Sequence, residues 1–308
     1  MGAMSRTGHN TDLPSVSVVV PFYGPDASAL ARCVESLLDQ DYPKDRLTIA
    51  IVDNNDPARL PPDTFGPRCT IFYELSPGSY AARNRGIRES FGDIVAFTDS
   101  DCVPHRSWIS AGVKSLQAAT EPVLVGGSIV FDFGNDHRQN SYKLLDSIVH
   151  HRQKEYVLLH RFAATANLFV RRELFAAFGA FDPRFLSGGD REFGQRLAAA
   201  GVKICLAEDA VVSHPARGRF VDLLRKNLRG AGGDKTFLSL SGTFRPLDLL
   251  KVQLRNFLHR QTLISDRGKA LGLTPFRLIK VRGLLTLFYI GRVVESTRLI
   301  FGGKPQRL

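Results

Sequence analysis

The sequence has 308 residues, 44% of them hydrophobic and 23% charged, which is the make-up of an ordinary globular protein and excludes a disordered or fibrous chain. Its formal net charge of +11 is uneven: 22 Lys and Arg stand against 25 Asp and Glu up to His214, then 19 against 5 from Pro215 onward. No apolar run approaches the ~18 residues of a membrane-spanning helix, and the four cysteines (Cys33, Cys69, Cys102, Cys205) form no C-x-x-C pair.

Residues 1–12 are polar and small with no apolar core, so no signal peptide is expected there. Disorder is expected instead, with Met1-Gly2-Ala3 before Met4 read as an expression scar. Reduced thiols and a cytoplasmic location follow from the cysteine pattern.

Ser15 to Pro21 is a β-branched run and predicts a buried strand. Asp26 can cap the next helix, in which Leu30, Val34, Leu37 and Leu38 recur at helical spacing. Leu47 to Val52 predicts a second strand, ended by Asp53-Asn54-Asn55, and Thr70 to Tyr73 a third. Pro77-Gly78-Ser79 opens a helix to about Ser90. Ile94 to Phe97 is a fourth strand, and it stops abruptly at Asp99-Ser100-Asp101. Ligands bind outside the carboxyl ends of strands in open α/β sheets. Two carboxylates so close repel unless a cation shares them, and Mg²⁺ or Mn²⁺ suits such oxygen ligands. An Asx turn explains the same three residues.

Further on, helices are expected over Ser107–Ala119, Arg172–Phe178 and Asp190–Ala200. Strands are expected over Val123–Phe131, Asn167–Val170 and, briefly, Ala210–Ser213. Residues 134–164 read as polar and helical, with His150 and His151 on the surface or the acceptor side. From Arg219 the pattern is helical to the end, with breaks near Gly230–Gly233, Pro246, Ser265–Gly268 and Pro275.

Six stretches then stand in one order: Val18-Val19-Val20-Pro21-Phe22-Tyr23, Ile51-Val52-Asp53-Asn54-Asn55, Ala81-Ala82-Arg83-Asn84-Arg85-Gly86, Phe97-Thr98-Asp99-Ser100-Asp101, Asn167-Leu168-Phe169-Val170-Arg171-Arg172 and Gly188-Gly189-Asp190-Arg191-Glu192-Phe193. With them the chain resembles glycosyltransferase family 2, of the GT-A fold, over about residues 15–217. The resemblance implies an α/β architecture: a Rossmann-like, mostly parallel sheet flanked by helices. It also implies a GT-A catalytic domain over 13–217, with a nucleotide-binding half (about 13–103) and an acceptor half (about 104–217). Residues 218–308 form a basic helical C-terminal region outside the shared core.

The implied reaction is inverting transfer of a sugar from a nucleoside-diphosphate sugar, with a UDP-sugar favoured, to an acceptor hydroxyl. The acceptor would be a cell-surface glycan or lipid-linked saccharide. Mg²⁺ or Mn²⁺ would neutralise the leaving diphosphate. By resemblance Asp101 is the direct metal ligand and Asp99 is shared between metal and nucleotide. His214 is a further ligand or a diphosphate contact, although a lone histidine is often structural. Asp53 would accept from the base, Pro21 and Tyr23 would shape the base pocket, and Arg83 would offer its planar fork to a phosphate or base carbonyl.

Asp190 would be the general base, its register set by Phe193 and Arg196-Leu197. Two departures from the family pattern stand out: Asn54-Asn55 where a second acid is usual, and Gly189 where a Glu is usual. Arg217, Arg219 and Lys226 would hold the diphosphate on a segment that Gly218 and Gly230–Gly233 let move as a lid. Trp108 and Cys102 are expected in the core.

In the basic region, Leu250, Leu254, Phe257 and Leu258 lie at helical spacing among Lys251, Arg255 and Arg260, and residues 276–300 are similar. Such helices suit an anionic membrane surface, which would put the protein at the inner face of the plasma membrane. They equally suit packing on the domain or on a second subunit of a homodimer. A nucleotidyltransferase needs a Gly-rich loop with Lys or Arg after the first strand, and Phe22–Asp26 has no basic residue. Nucleic acid is not an expected partner, since no base-reading motif is present. A non-catalytic GT-A-like binding protein is the other alternative.

Overall fold

The computed structural model describes residues 13–136, 140–240, 242 and 244–306, and the disorder expected over 1–12 lies outside them. The first half runs β1 (Val16–Phe22), α1 (Ser28–Leu38), β2 (Leu47–Asp53), β3 (Cys69–Tyr73), α2 (Ser79–Glu89) and β4 (Ile94–Thr98). Its four strands are all parallel. β1 and β4 are buried along their whole length, as expected of strands covered on both faces. Successive side chains of β1 feed two cores. Val18 and Val20 pack with Leu30 and Leu37 of α1, and Val19 packs with Tyr80 and Ala82 of α2. A methyl group at Gly86 would overlap Val19, so this glycine lets α2 lie close on the sheet.

The second half adds β5 (Val103–Pro104), α3 (Trp108–Gln117), β6 (Val123–Asp132), α4 (Ser141–Val149), α5 (Gln153–His160), β7 (Asn167–Arg171), α6 (Arg172–Phe178), α7 (Gly189–Ala199) and β8 (Lys203–Pro215). The sheet order is β3-β2-β1-β4-β7-β6-β8-β5. β7 runs antiparallel to both β4 and β6, so the sheet is parallel through β4 and mixed beyond it.

β8 is far longer than the strand expected at Ala210–Ser213. Its first half carries exposed Lys203, Glu208 and Asp209, a polar surface pattern that hides a strand from sequence reading. Its pairing with β6 shifts register between Gly127 and Ser128. Buried Asn167 fills that irregularity, donating from Nδ2 to the carbonyls of Ser128 and Ala210, both at 2.8 Å. Its Oδ1 accepts from Trp108 Nε1 at 2.8 Å, so Trp108 is in the core, as expected.

Three helices follow: α8 (Phe220–Leu240), α9 (Pro246–Ala270) and α10 (Pro275–Ile300). α9 and α10 start at the expected prolines, a favoured first position for a helix. The breaks expected at Gly230–Gly233 and Ser265–Gly268 are absent, because these glycines make room for neighbours. A methyl at Gly233 would overlap the Ser187 carbonyl, one at Gly230 would press on Arg292, and one at Gly268 would overlap Leu278.

The three helices pack on the body through α4. Leu144, Leu145, Ile148 and Val149 meet Leu223, Ile264, Val281, Leu285 and Phe288 in one apolar cluster. Arg292 ties the bundle together, donating to Asp234 Oδ2 and Gln253 Oε1 at 2.6 Å each and to the Asn227 carbonyl at 3.1 Å. No described helix is long and apolar enough to cross a membrane.

Candidate active site

The carboxyl ends of the parallel neighbours β1, β2 and β4 lie along one edge of the sheet and define the candidate cleft. Pro21 is buried near the end of β1, two residues beyond the last β4 partner, Val19. Tyr23 sits on the rim, 57% exposed. Asp53 is fully buried, and its acceptor positions are filled from its own loop. Oδ1 accepts from Asn55 N (3.0 Å) and Asn55 Nδ2 (2.7 Å), and Oδ2 from Arg59 N (2.6 Å) and Leu60 N (2.9 Å). The Asn54-Asn55 departure has a local reason, since both amides act as donors. Asn54 Nδ2 donates to the carbonyls of Glu74 and Ser76, while its Oδ1 receives Gly78 N at the start of α2. A carboxylate could not make these donations.

Asp99-Ser100-Asp101 is a turn between β4 and β5, closed by Cys102 N on the Asp99 carbonyl at 3.0 Å. The same turn gathers a donor set. Ligand atoms of Asp99, Asp101, Cys102 and His214 all lie within 4.8 Å of one another. His214 comes from β8, fully buried, with Nδ1 donating to the Pro215 carbonyl at 2.8 Å. That fixes Nε2 as the lone-pair nitrogen. Nε2 is buried, has no hydrogen-bond partner among the described residues and faces Asp101 Oδ1 at 3.9 Å.

An octahedral ion with bonds of about 2.1 Å spaces its ligands ~3 to ~4 Å apart, so the set is close to that spacing. Burial holds His214 below the ordinary imidazole value, in the neutral form a metal requires. Burial pushes the Cys102 thiol well up, with Asp101 and Asp99 adding to it. Two carboxylates and a neutral imidazole therefore fit Mg²⁺ or Mn²⁺, and Cys102 stands beside the set as a protonated thiol.

Arg83 is buried on α2 and pairs with Asp99 Oδ1 at 2.5 Å, its guanidinium also lying 5.5 Å from the Tyr80 ring centre. Tyr80 in turn donates to Asp190 Oδ1 at 3.1 Å, and Arg191 N donates to the same oxygen at 2.9 Å. Asp190 is the second residue of α7, while the helix-capping position is Gly188. Burial raises the Asp190 pKa, against the lowering effects of Arg191 N, Arg83 and Tyr80. A methyl at Gly189 would crowd the Tyr80 ring, so the residue that replaces the usual acid makes room for the tyrosine that holds the neighbouring one.

Three site residues escaped sequence reading. His151, expected at the surface or acceptor side, stacks on His214 at 4.2 Å between ring centres, and Phe131 lies edge-on to both rings. Lys226 Nζ reaches His151 Nε2 at 3.1 Å. His150 is buried rather than superficial, on Asp146 at 2.7 Å. Asp146 of α4 is the second missed residue. It is fully buried and gathers His150, Lys226 (3.6 Å), the Arg217 guanidinium (3.4 Å) and Arg217 N (3.0 Å). Burial and then Arg217 push Lys226 down to about 7. Arg229, also unforeseen, is lowered by burial and then by Arg217, and feels Asp99 and Asp101. Arg219 is apart from this group, largely exposed beside Asp222. Only Asp146 and His150 lie one helical turn apart; the other contacts join elements far apart in sequence, so no helical periodicity announces them.

A family model described as Glycosyl transferase family 2 matches residues 17–179, more than half of the chain. The chain belongs to glycosyl transferase family 2. Within this family it is 35% identical over 227 residues to the glycosyltransferase AglE of Haloferax volcanii, covering 72% of this chain and 73% of the relative. It is 30% identical over 219 residues to the pre-mycofactocin glycosyltransferase of Mycobacterium tuberculosis, covering 68% of this chain but 45% of that protein. The mannosyltransferase PcManGT from Pyrobaculum calidifontis, solved with GDP-Man and Mn²⁺, superposes with a TM-score of 0.59 at 20% identity, over 92% of this chain and 87% of that one. At that identity the likeness establishes the GT-A fold of this family 2 member.

Proposed function

We propose that this family 2 enzyme is an inverting, divalent-metal-dependent glycosyltransferase that moves a sugar from a nucleoside-diphosphate sugar to the hydroxyl of a saccharide or lipid-linked acceptor. The observation that carries the reading is the orphaned, buried Nε2 of His214 facing Asp99 and Asp101 at the end of β4. Asp101, Asp99 and His214 would hold Mg²⁺ or Mn²⁺, whose role is to neutralise charge on the departing diphosphate.

The chain's own groups supply the rest. Arg217, Lys226 and Arg229 form the cationic wall for the diphosphate, and Asp146 holds the first two in place. Arg83 fixes the Asp99 carboxylate. Pro21, Tyr23 and the loop that Asp53 organises line the base pocket, with uracil the favoured base.

Asp190 acts as the general base. Tyr80 and Arg191 N hold its Oδ1, which leaves Oδ2 to take the proton of the acceptor hydroxyl. Burial raises its pKa, which strengthens it as a base. The test is a donor screen with UDP- and GDP-sugars and Mg²⁺ or Mn²⁺, following nucleoside-diphosphate release and thermal shift. Release with one donor, dependent on metal, is expected. No response to any nucleoside diphosphate sinks the proposal.

A further inference from the structure

α10 is apolar on two opposite faces. At 100° per residue, Val281, Leu285 and Phe288, packed with α4 and α8, and Leu299, packed with Ala231 and Leu249, form the buried side. Directly opposite, Phe276, Ile279, Leu287, Ile290 and Val294, with Phe301 just past the end, fall within roughly 40° of one line. All six are exposed, from 49% at Leu287 to 85% at Phe301. The line extends over ~40 Å of helix. An amphipathic helix needs one apolar face to pack, and a second one is normally covered by something else.

α9 continues the same surface. Leu254 and Leu258 are exposed beside it, and the two helices join at the outer seam through Arg282 Nε to Gln261 Oε1 at 2.9 Å. Exposed Lys251, Arg255, Lys280 and Arg282 intersperse or border these apolar side chains. The only acid of α10, Glu295, points away from the stripe and pairs with Arg298.

We propose that this outer face of the α9–α10 pair lies flat on an anionic lipid surface, apolar side chains in the headgroup boundary and lysines and arginines at the phosphates. Charge selects this occupant over a second copy of the chain. A face-to-face dimer would bring the same cations against each other, whereas an anionic bilayer meets every one with opposite charge. The region from Pro215 onward carries 19 basic residues against 5 acidic ones, so no acidic patch there offsets them.

The experiment is co-sedimentation of the full chain with phosphatidylcholine vesicles containing or lacking phosphatidylglycerol, at low and high salt. Light scattering of the free protein accompanies it. Binding to the anionic vesicles only, weakened by salt, is expected. The triple variant Ile279→Gln, Ile290→Gln, Val294→Gln and the charge variant Lys251→Glu, Arg255→Glu, Lys280→Glu should each lower the bound fraction at least tenfold. Both should melt like the parent and keep its metal-dependent nucleoside-diphosphate release, since every position is exposed and away from the cleft. No binding to anionic vesicles, or equal binding to neutral ones, overturns the proposal. So does a dimer of the parent that the Gln variant dissociates, which would give the face to a second copy.

Discussion

The cleft has two walls built on different principles. One is the set of strand ends from β1, β2 and β4, which delivers Tyr23, Asp53, Asp99 and Asp101 to the cleft. The other is helical, made of α4, α8 and the turn before α5, and it delivers Asp146, His151, Lys226 and Arg229. In the first wall a residue's place follows from its position along a parallel strand, so chemistry and fold separate cleanly. In the second, functional groups are part of a buried charge cluster. On the proposed reading the same side chain then serves stability and substrate at once.

Substitutions can break or sharpen that contrast. The largest catalytic effect should come from Asp190→Asn, with a loss of roughly 10²–10⁴ in kcat while the melting curve and donor affinity stay near the parent's. Nucleoside-diphosphate release measures it, and unchanged turnover would remove Asp190 from the base role.

Next, Asp146→Asn should act on fold and function together. It leaves the half-buried Lys226 and Arg217 without the buried carboxylate they share, which costs up to roughly 3 kcal/mol in urea unfolding, and the donor KM should rise. Burial opposes the Asp146 charge, but Lys226, His150 and Arg217 hold its carboxyl far below the usual range. A depressed acid stabilises above its unfolded value, near 4, and that contribution is lost as pH falls further. The Asn variant should therefore show a shallower stability loss below about pH 4 than the parent.

A smaller effect is expected for His151→Ala. His151 orients His214 without touching the acids, and losing such a partner weakens metal affinity roughly tenfold, readable by Mn²⁺ titration with thermal stability as control. Smallest is Tyr80→Phe. The lost hydrogen bond favours the ionised Asp190, so its removal raises that pKa. The acid limb of kcat/KM should move to higher pH by less than about one unit, given ~1 kcal/mol for one hydrogen bond. A shift to lower pH would contradict the assigned bond.

The same contrast explains what could be read in advance. Asp99 and Asp101 were legible because an apolar run ends abruptly in two acids. Their partner His214 was legible only through the family order, since one histidine in a polar strand has no signature of its own. The stack of His151 on His214 was out of reach because it joins positions 63 residues apart in the chain. The glycines at 230–233 were read as a hinge because sequence shows their backbone freedom and not the Ser187 carbonyl or Arg292 that needs the space. The long β8 was shortened because exposed charges mask its alternation. Fold class, by contrast, followed from the buried parallel strands, whose apolar runs need no long-range information.

The unbroken helix α8 works as a calliper. Lys226 at one point touches the cluster behind the metal donors, and Asp234, eight residues on, reaches Arg191, the neighbour of Asp190, at 3.4 Å. Phe237, one turn later, lies under the Arg191 guanidinium at 4.2 Å. Eight residues of helix span ~12 Å, so the distance between the proposed leaving-group side and the proposed base side is gauged by a single rod. Inserting one residue at Gly230 would turn the far jaw by ~100° and leave the near one in place. Such a chain should still hold Mn²⁺ and nucleoside diphosphate, yet no longer pass the sugar on.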